Sequence, residues 1–543
     1  MKKIKDNFFL ILIVLISLVY LIPIFQPGFF IGHDNIPQVA RIAARIKALT
    51  DGQFPPRWAG DLNYGYGHPG FIFFYSLSGY LGAFLYFLGV SLENGYEFLM
   101  SATFILAPIF FYLWTSQFLK KEIAFVSALF YGLSSYSFLD VFVRAHLGES
   151  LGLVFIPLVF YFIEKNLKKP SFYITIFGGI AEALLIHSHS ILSFMFIFVF
   201  FGYILLRGFG NKKVLIYSLG ILVIGLLLSA YFWIPALFES KFINSKIFLS
   251  DWYKGHFLNL SNIIYSKWGF GSNVNEPGGL SAQIGPLHVL FTILSVFIVI
   301  RKRKEWSVVL FWLLIFVFGF FMSMSLSDFL WSRIHFLQQF QFPWRFTALT
   351  SFSASVLAGY TLQMFNSRKL LIASLIILLV LAVSMAKVWK NESKGDAYYF
   401  KYPGTAAYHN EATTIWVEGD AYKYPKKRLE IIAGDGKILN FKRKSNQHTF
   451  MVDSKTNLNV LDNTVYFPGW QVLVDGQKTP IEFQDINHRG LITFSVPKGM
   501  HNIEVVFRET AIRLFSNMVS LFSIIGIFLF FIFRVCFSFI QKR

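Results

Sequence analysis

The chain has 543 residues, of which 55% are hydrophobic and 15% are charged. Soluble domains carry about 25% charged residues, so this composition excludes an ordinary soluble enzyme and indicates a membrane protein. The net charge of +19 does not indicate nucleic-acid binding, because the basic residues lie mainly at the ends of apolar runs, as the positive-inside rule predicts. The single cysteine, Cys536, excludes a disulfide framework and a cysteine metal site.

The chain begins with a short basic segment and an apolar run over residues 8–25. This start has the form of a signal peptide, but no small-residue cleavage site precedes Pro23 and Pro27. The pattern therefore predicts an uncleaved first membrane span.

Twelve apolar runs approach the ~20 residues that cross a hydrocarbon core. The run at 71–90 is ambiguous because Tyr, Ser and Gly interrupt it. If it lies in the interface, every later basic loop faces the cytoplasm; if it crosses the membrane, those loops invert. We therefore predict about twelve spans and two cytoplasmic termini. The runs lie near 8–25, 98–118, 122–139, 148–164, 172–188, 190–206, 213–235, 285–300, 306–324, 346–364, 369–388 and 512–534.

The predicted organisation has three parts: a transmembrane domain over 1–388, an extracytoplasmic β-domain over 389–511, and a final span with a cytoplasmic tail over 512–543. The β-domain is predicted from alternating apolar residues at 464–467, 471–474, 491–496 and 503–507, which Asp-Gly and Pro-Lys-Gly turns separate. A small sandwich is expected. The main outer loops of the transmembrane domain are predicted at 26–97, 140–147, 236–284 and 325–345.

The first outer loop carries Asp34, which emerges at the bilayer surface just after the first span. A carboxylate there could take a proton from a hydroxyl group or hold a divalent cation. It could equally cap the helix predicted from Gln38 onward. The same loop supplies His33 and Arg57 as candidate phosphate-binding residues.

The second outer loop contains Arg144, His146 and Glu149. His146 and Glu149 are three residues apart and share a helix face, and the Arg144 fork suits a phosphate. The alternative is an arginine that snorkels to the interface and a glutamate that complements the helix dipole.

Two further segments supply polar groups at the outer boundary. His187 and His189 lie at the tip between two short spans and are candidates for hydrogen bonding to phosphate or hydroxyl groups. Arg345 follows a Pro-Trp elbow and could bind a lipid-linked phosphate. An interfacial Trp/Arg anchor explains Arg345 equally well.

No phosphate loop, HExxH motif, GxSxG elbow or haem or iron–sulfur spacing occurs in the sequence. Nothing indicates a nucleotide site on the cytoplasmic side. An activated donor, if used, would therefore arrive through the membrane.

Taken together, these segments resemble the GT-C superfamily of membrane glycosyltransferases. More closely, the chain resembles bacterial YfhO-like membrane proteins, including those labelled 6-pyruvoyl-tetrahydropterin-synthase-related. The resemblance covers most of the chain in layout. The segments that carry it are Gly32 to Asp34, Phe54 to Trp58, Gly65 to Pro69, Arg144 to Glu149, Gln341 to Arg345, Tyr466 to Trp470, Val474 to Gly476 and Pro497 to His501.

The resemblance implies a GT-C-like fold, with Asp34 as the main catalytic candidate and Glu149, the acidic residue of the second loop, as a second catalytic candidate. In the oligosaccharyltransferase branch that second residue binds metal, which makes Asp34 and Glu149 candidate ligands for Mg²⁺ or Mn²⁺. The chain lacks the denser acidic motif of that branch, and many GT-C relatives need no metal.

The sequence hypothesis is an inverting transferase of the cell membrane that moves a sugar from a polyprenyl-phosphate donor to an extracytoplasmic glycan, lipid or protein. Asp34 would deprotonate the acceptor, and Arg144, His146, His187, His189, Arg345, His33 and Arg57 would contact phosphate or substrate. Two alternatives remain: a transporter or flippase for a lipid-linked or anionic solute, and a non-catalytic membrane scaffold or sensor. A transporter would be indicated by a pair of spans that Gly or Pro breaks near the midplane, and the sequence shows no convincing pair of this kind.

Overall fold

The computed structural model describes residues 2–244, 251–407, 412–417 and 423–540. Most of them are helical, and the strands concentrate toward the C-terminal end of the chain. The helices are α1 (Lys2–Leu21), α2 (Asn35–Thr50), α3 (Gly70–Phe73), α4 (Leu77–Phe87), α5 (Leu92–Thr115), α6 (Lys121–Gly132), α7 (Ser135–Phe138), α8 (Leu147–Lys168), α9 (Phe172–Ser188), α10 (Ser190–Gly208), α11 (Lys212–Leu228), α12 (Ala230–Glu239), α13 (Leu260–Ile264), α14 (Pro286–Ile300), α15 (Trp306–Met322), α16 (Asp328–Arg333), α17 (His335–Gln338), α18 (Thr347–Phe365), α19 (Arg368–Val383), α20 (Asp396–Phe400) and α21 (Ala511–Ile540).

The strands form three antiparallel sheets. They are β1 (Phe29–Ile31), β2 (Trp389–Asn391), β3 (Leu429–Ala433), β4 (Gly436–Lys444), β5 (Gln447–Ser454), β6 (Leu458–Val465), β7 (Trp470–Val474), β8 (Gln477–Thr479), β9 (Leu491–Val496) and β10 (Gly499–Phe507).

Contacts divide the chain into two compact units, each built from three separate stretches of sequence. The first unit holds Met1–Asn35, Asn94–Leu228 and Phe248–Ser393, and the second holds Ile36–Glu93, Ser229–Ile247 and Lys394–Arg543. The predicted division at residues 388 and 511 follows composition along the chain, whereas these units follow packing. The linear division stays a prediction.

The first unit is a helical bundle with an aromatic core. The Trp114 ring stacks on Phe160, with ring centroids 4.6 Å apart, and on Phe352 at 5.5 Å. Helix α18 is buried on almost every side. Its small residues let neighbouring backbones approach closely: a Cβ added at Gly359 would lie 2.8 Å from Ser127 Oγ.

Four helices among the described residues are long and apolar enough to cross a membrane: α5, α8, α10 and residues 511–534 of α21. Two bent pairs, α6 with 135–143 and α11 with 230–242, raise this number to six if each pair is one span. Five shorter apolar helices accompany them, including the eleven-residue α4 within the ambiguous run at 71–90. The chain is therefore a membrane protein, and the number of about twelve spans stays a prediction.

The second unit contains two antiparallel sheets around one core. One sheet has the order β4-β5-β10-β7-β8 and the other has the order β3-β6-β9. Apolar side chains from both sheets form this core together with Trp58 of the first loop. Trp58 is fully buried, and its ring lies 5.3 Å from Trp470 and 5.2 Å from Phe507. The expected C-terminal β-rich region is therefore present.

Candidate functional site

In the first unit, backbone hydrogen bonds join the loop after α1 to the loop before α8. The amide of His33 donates to the carbonyl of Val143 at 3.0 Å, and the amide of Asp34 donates to that of Arg144 at 2.9 Å. A Cβ on Gly32 would lie 2.4 Å from the Cβ of Ala145, so this close approach requires glycine. Asp34 directly precedes α2, so a helix-capping role for it stays open.

Arg144 lies at the centre of a group of carboxylates. Its Nη1 donates to Asp140 Oδ1 at 2.7 Å and to Glu149 Oε2 at 2.5 Å, while Nη2 lies 3.7 Å from Asp34 Oδ2. A π-helical turn, Leu139–Val143, precedes it, a feature frequent at functional sites. We call Asp34, Asp140, Arg144, His146, Glu149, His189 and Arg345 the polar cluster.

Glu149 is fully buried and links the remaining members of the polar cluster. The Tyr136 hydroxyl donates a hydrogen bond to Oε1 of Glu149. Oε2 lies 3.6 Å from Arg345 Nε and 3.7 Å from His189 Nε2. Burial of a carboxylate at this depth is tolerable only when it is paired and hydrogen-bonded, and Glu149 meets both conditions.

Both histidines of the polar cluster cap helices. His146 Nδ1 accepts the amide N–H of Glu149 at 3.0 Å, and His189 Nδ1 accepts that of Leu192 at 3.2 Å. Burial lowers the pKa of His189 to about 3, and burial with the charge of Arg144 lowers that of His146 well below 6.5. A neutral imidazole that accepts at Nδ1 carries its proton on Nε2. Each ring therefore presents an Nε2–H donor.

Arg345 is buried and held in place from one side. It lies in the turn Pro343–Phe346, and its Nη1 donates to the carbonyl of Phe340 at 2.9 Å and to Gln341 Oε1 at 3.0 Å. Its Nε is buried without a hydrogen-bond partner. The Pro-Trp elbow thus aims a guanidinium into the polar cluster with one donor unsatisfied.

Arg144 contacts both carboxylates predicted as metal ligands, Asp34 through Nη2 and Glu149 through Nη1. One ligand atom each from His146, Glu149 and His189 does lie within 4.8 Å of the others. However, the caps leave protons on the Nε2 atoms, and Mg²⁺ prefers oxygen ligands. The assignment of Asp34 and Glu149 as ligands for Mg²⁺ or Mn²⁺ stays a prediction.

The other predicted site residues lie elsewhere. His33 is half-buried, with Nε2 2.8 Å from the carbonyl of Phe270. His187 is half-buried in the last turn of α9. Arg57 belongs to the second unit, where it donates to Glu509 at 3.2 Å and to Asn517 at 2.8 Å. Their assignments stay predictions.

Asp140 and Tyr136 belong to the site, but the sequence patterns did not indicate them. Asp140 follows a run of apolar residues, and its only local signal is a spacing of four from Arg144, which suits an ion pair on one helical face. Tyr136 carries no local signal of contact with Glu149.

The chemistry that the polar cluster offers depends on exposure. Asp140 and Glu149 are fully buried, whereas the Asp34 side chain is 22% exposed. A substrate can therefore reach Asp34 most easily among these three carboxylates. The arrangement offers one accessible base beside two guanidinium groups and two imidazole N–H donors.

No family model matches the chain. An uncharacterized protein of Lactococcus lactis subsp. cremoris (strain MG1363) is 25% identical over 277 residues, which make up 49% of this chain and 45% of that protein. The chain thus matches less than half the length of this relative.

Two solved structures are similar to parts of this chain. The arabinofuranosyltransferase AftD from Mycobacteria matches 70% of this chain and 26% of its own, with 12% identity and a TM-score of 0.49. The oligosaccharyltransferase of Archaeoglobus fulgidus in its apo form matches 72% of this chain and 57% of its own, with 15% identity and a TM-score of 0.44. At these scores the likeness does not assign an activity.

Proposed function

We propose that this protein is a membrane glycosyltransferase that moves a sugar from a polyprenyl-phosphate donor to an extracytoplasmic hydroxyl acceptor with inversion. The observation that carries the proposal is the convergence of Asp34, Arg144, Glu149 and Arg345. These residues come from three distant segments, and ion-pair contacts of 3.7 Å or less connect them. A general base beside buried cationic donors suits a reaction in which a hydroxyl displaces a phosphate.

The unsatisfied Nε of Arg345 and the Nε2–H groups of His146 and His189 would donate to the donor phosphate. As the bond between the anomeric carbon and the phosphate oxygen breaks, that oxygen keeps the electron pair and gains charge. Preorganised donors stabilise such charge without reorganisation. Polyprenyl phosphate would leave as the product.

The acceptor oxygen would form the new bond to the anomeric carbon while its proton passes to Asp34. A positioned general base contributes roughly 10²–10⁴-fold to the rate. Asp140 and Glu149 would act as positioning residues, because they hold the Arg144 guanidinium through Nη1. The acceptor would be a cell-envelope glycan, a glycolipid or a protein.

Binding of the product tests the proposed donor site. Purified full-length protein in nanodiscs should bind polyprenyl phosphate, and Arg345→Gln should weaken binding by about tenfold or more, since a charge-assisted hydrogen bond to phosphate is lost. Arg333→Gln is the matched control, because it removes the same charge at an exposed position twelve residues earlier. Equal affinity in the wild type and Arg345→Gln would overturn the assignment of the donor site.

A further inference from the structure

One face of α2 in the second unit carries three polar side chains that the proposed reaction does not use. Gln38, Arg41 and Arg45 are spaced three and four residues apart, so they lie on the same side of the helix. They line a partly open recess. Its other lining residues are Ile42, Phe71, Phe74, Tyr75, Ser78 and Gly79.

The arginines of this recess contact rings rather than acids. Arg45 is 3% exposed, and its guanidinium carbon lies 4.5 Å from the Phe71 ring centre and 4.8 Å from that of Tyr80. The Arg41 guanidinium lies 4.7 Å from the Phe74 ring centre, and its Nε is buried without a hydrogen-bond partner. Among the described residues, no carboxylate forms an ion pair with either arginine.

Gln38 adds an independent observation. Its side chain is 4% exposed, and neither its amide nitrogen nor its amide oxygen has a hydrogen-bond partner. A buried polar group without a partner destabilises the folded state, and a buried charge without a counter-ion destabilises it more. The recess therefore combines two cations and an amide, and Arg41 Nε and both polar atoms of the Gln38 side chain have no hydrogen-bond partner there. The Arg45 guanidinium interacts with the Tyr80 hydroxyl.

We propose that this recess binds a phosphate group. Two guanidinium forks and an amide supply more donors than the two oxygens of a carboxylate can accept, whereas a phosphate monoester has three peripheral oxygens and free phosphate has four. A cation is disfavoured by Arg41 and Arg45. The aromatic walls accommodate the apolar or ring portion of the molecule that carries the phosphate.

The phosphate could belong to a lipid headgroup or to a soluble ligand. Helix α4, which lines one side of the recess, exposes apolar side chains at Phe84 and Phe87. This exposure suits a helix that lies in the membrane interface, where headgroup phosphates are found. Both sources share the same recognition chemistry, so the experiment uses one probe for each.

The test measures binding to full-length protein in detergent by calorimetry, with inorganic phosphate and dioctanoyl phosphatidic acid as probes. All measurements use an Arg345→Gln background to remove the proposed donor site. Arg45→Met should raise the dissociation constant about tenfold or more. Lys47→Gln should leave it within about twofold, because Lys47 lies on the same helix, is partly exposed and pairs with Asp51.

Binding of inorganic phosphate would identify a site for soluble anions, and binding of phosphatidic acid alone would identify a headgroup site. Binding of neither probe, or binding unchanged by Arg45→Met, would overturn the proposal. None of these binding results tests sugar transfer, which is tested separately with the Asp34→Asn variant. Arg45→Met should also leave the thermal midpoint of the ligand-free protein unchanged or higher, because it removes a buried cation without a counter-ion.

A second pair of variants avoids any change of charge. A Cβ on Gly79 would lie 2.4 Å from Arg45 Nε, whereas a Cβ on Gly82 would lie 2.7 Å from Ile42 Cδ1. Both substitutions add one methyl group to α4 against α2. Gly79→Ala should displace the guanidinium and weaken phosphate binding, while Gly82→Ala should retain binding. Equal affinities in the two variants would contradict the role of Arg45.

Discussion

At the scale of single residues, hydrogen bonds that serve local structure also determine the chemistry of the polar cluster. The caps formed by His146 and His189 place their protons on Nε2, so the two rings act as donors. An anion or hydroxyl group can accept from them, and a metal ion cannot bind there without a change of tautomer. This property follows from two backbone amides that no sequence motif reveals.

Glu149 is expected to contribute to folding as well as to the site. Glu149→Gln removes the charge that faces Arg144 and leaves the Tyr136 hydroxyl with a weaker acceptor. Breaking a buried ion pair by removing one partner costs about 3–5 kcal/mol. We therefore expect a lower thermal midpoint for the purified variant in detergent.

Glu122→Gln is the control for Glu149→Gln, since Glu122 is exposed in the first turn of α6. It should leave the thermal midpoint nearly unchanged. A midpoint in Glu149→Gln equal to that of the control would show that Glu149 is not needed as a counter-ion.

The sequence indicated several members of the polar cluster, but it did not indicate the contacts between them. Asp34, Arg144, Glu149 and Arg345 were conspicuous because they are ionisable groups at the ends of apolar runs. Their mutual contacts depend on how α8 and the turn at Pro343–Phe346 pack, which no local pattern encodes. The sequence did not distinguish His187 from His189, because the two residues lie two positions apart at the junction of two apolar runs.

At the scale of elements, the four predicted runs overlap β6, β7, β9 and β10, whereas β3, β4, β5 and β8 were not predicted. The predicted runs at 471–474 and 491–496 correspond to β7 and β9, and 503–507 falls within β10. The run at 464–467 extends past the end of β6. Strand β4 carries six exposed residues at its end and lies at a sheet edge, so burial imposes little alternation on it.

The two sheets of the second unit share a buried pair of polar residues. His448 Nδ1 on β5 lies 2.6 Å from Asp462 Oδ2 on β6, and Thr464 donates to Asp462 Oδ1 at 2.6 Å. Burial by itself raises the pKa of Asp462, but the interactions with His448, Arg428 and Thr464 together lower it below the ordinary value of 3.8.

This shift predicts acid sensitivity of the strands. A carboxylate whose pKa is lower in the folded state stabilises that state above its unfolded pKa, and the stabilisation is lost as the pH falls through the folded pKa. Hydrogen exchange of β5 and β6 amides should therefore accelerate below about pH 4, after correction for intrinsic rates. Asp462→Asn should weaken this pH dependence.

Asp453→Asn provides the comparison for Asp462→Asn, because Asp453 lies on β5 and is exposed. It should keep the acid-dependent acceleration of the wild type. Identical pH profiles for Asp462→Asn and the wild type would refute the assignment to Asp462.

At the scale of the whole molecule, the membrane topology is predicted from the positions of the basic segments along the chain. The basic segments Lys120-Lys121, Lys165 to Lys169, Arg207 to Lys213 and Arg301 to Lys304 all face the cytoplasm if both termini do. The same orientation puts 389–511 outside. The helix lengths do not decide between this arrangement and its inverse, since they carry no information on sidedness.

Labelling of single cysteines tests this orientation. In a Cys536→Ser background, Lys437→Cys on β4 should react with a membrane-impermeant maleimide on intact cells, and Lys304→Cys should react only after permeabilisation. Both positions are exposed in the structure. The reverse pattern would place the strands in the cytoplasm and contradict the topology.

Transfer of radiolabelled sugar tests the central claim most directly. Purified protein in liposomes, supplied with polyprenyl-phosphate sugars and acceptor, should transfer label to the acceptor. Asp34→Asn should reduce the rate roughly 10²–10⁴-fold because it removes the general base, while binding of polyprenyl phosphate persists. Transfer by Asp34→Asn at the rate of the wild type would contradict the account.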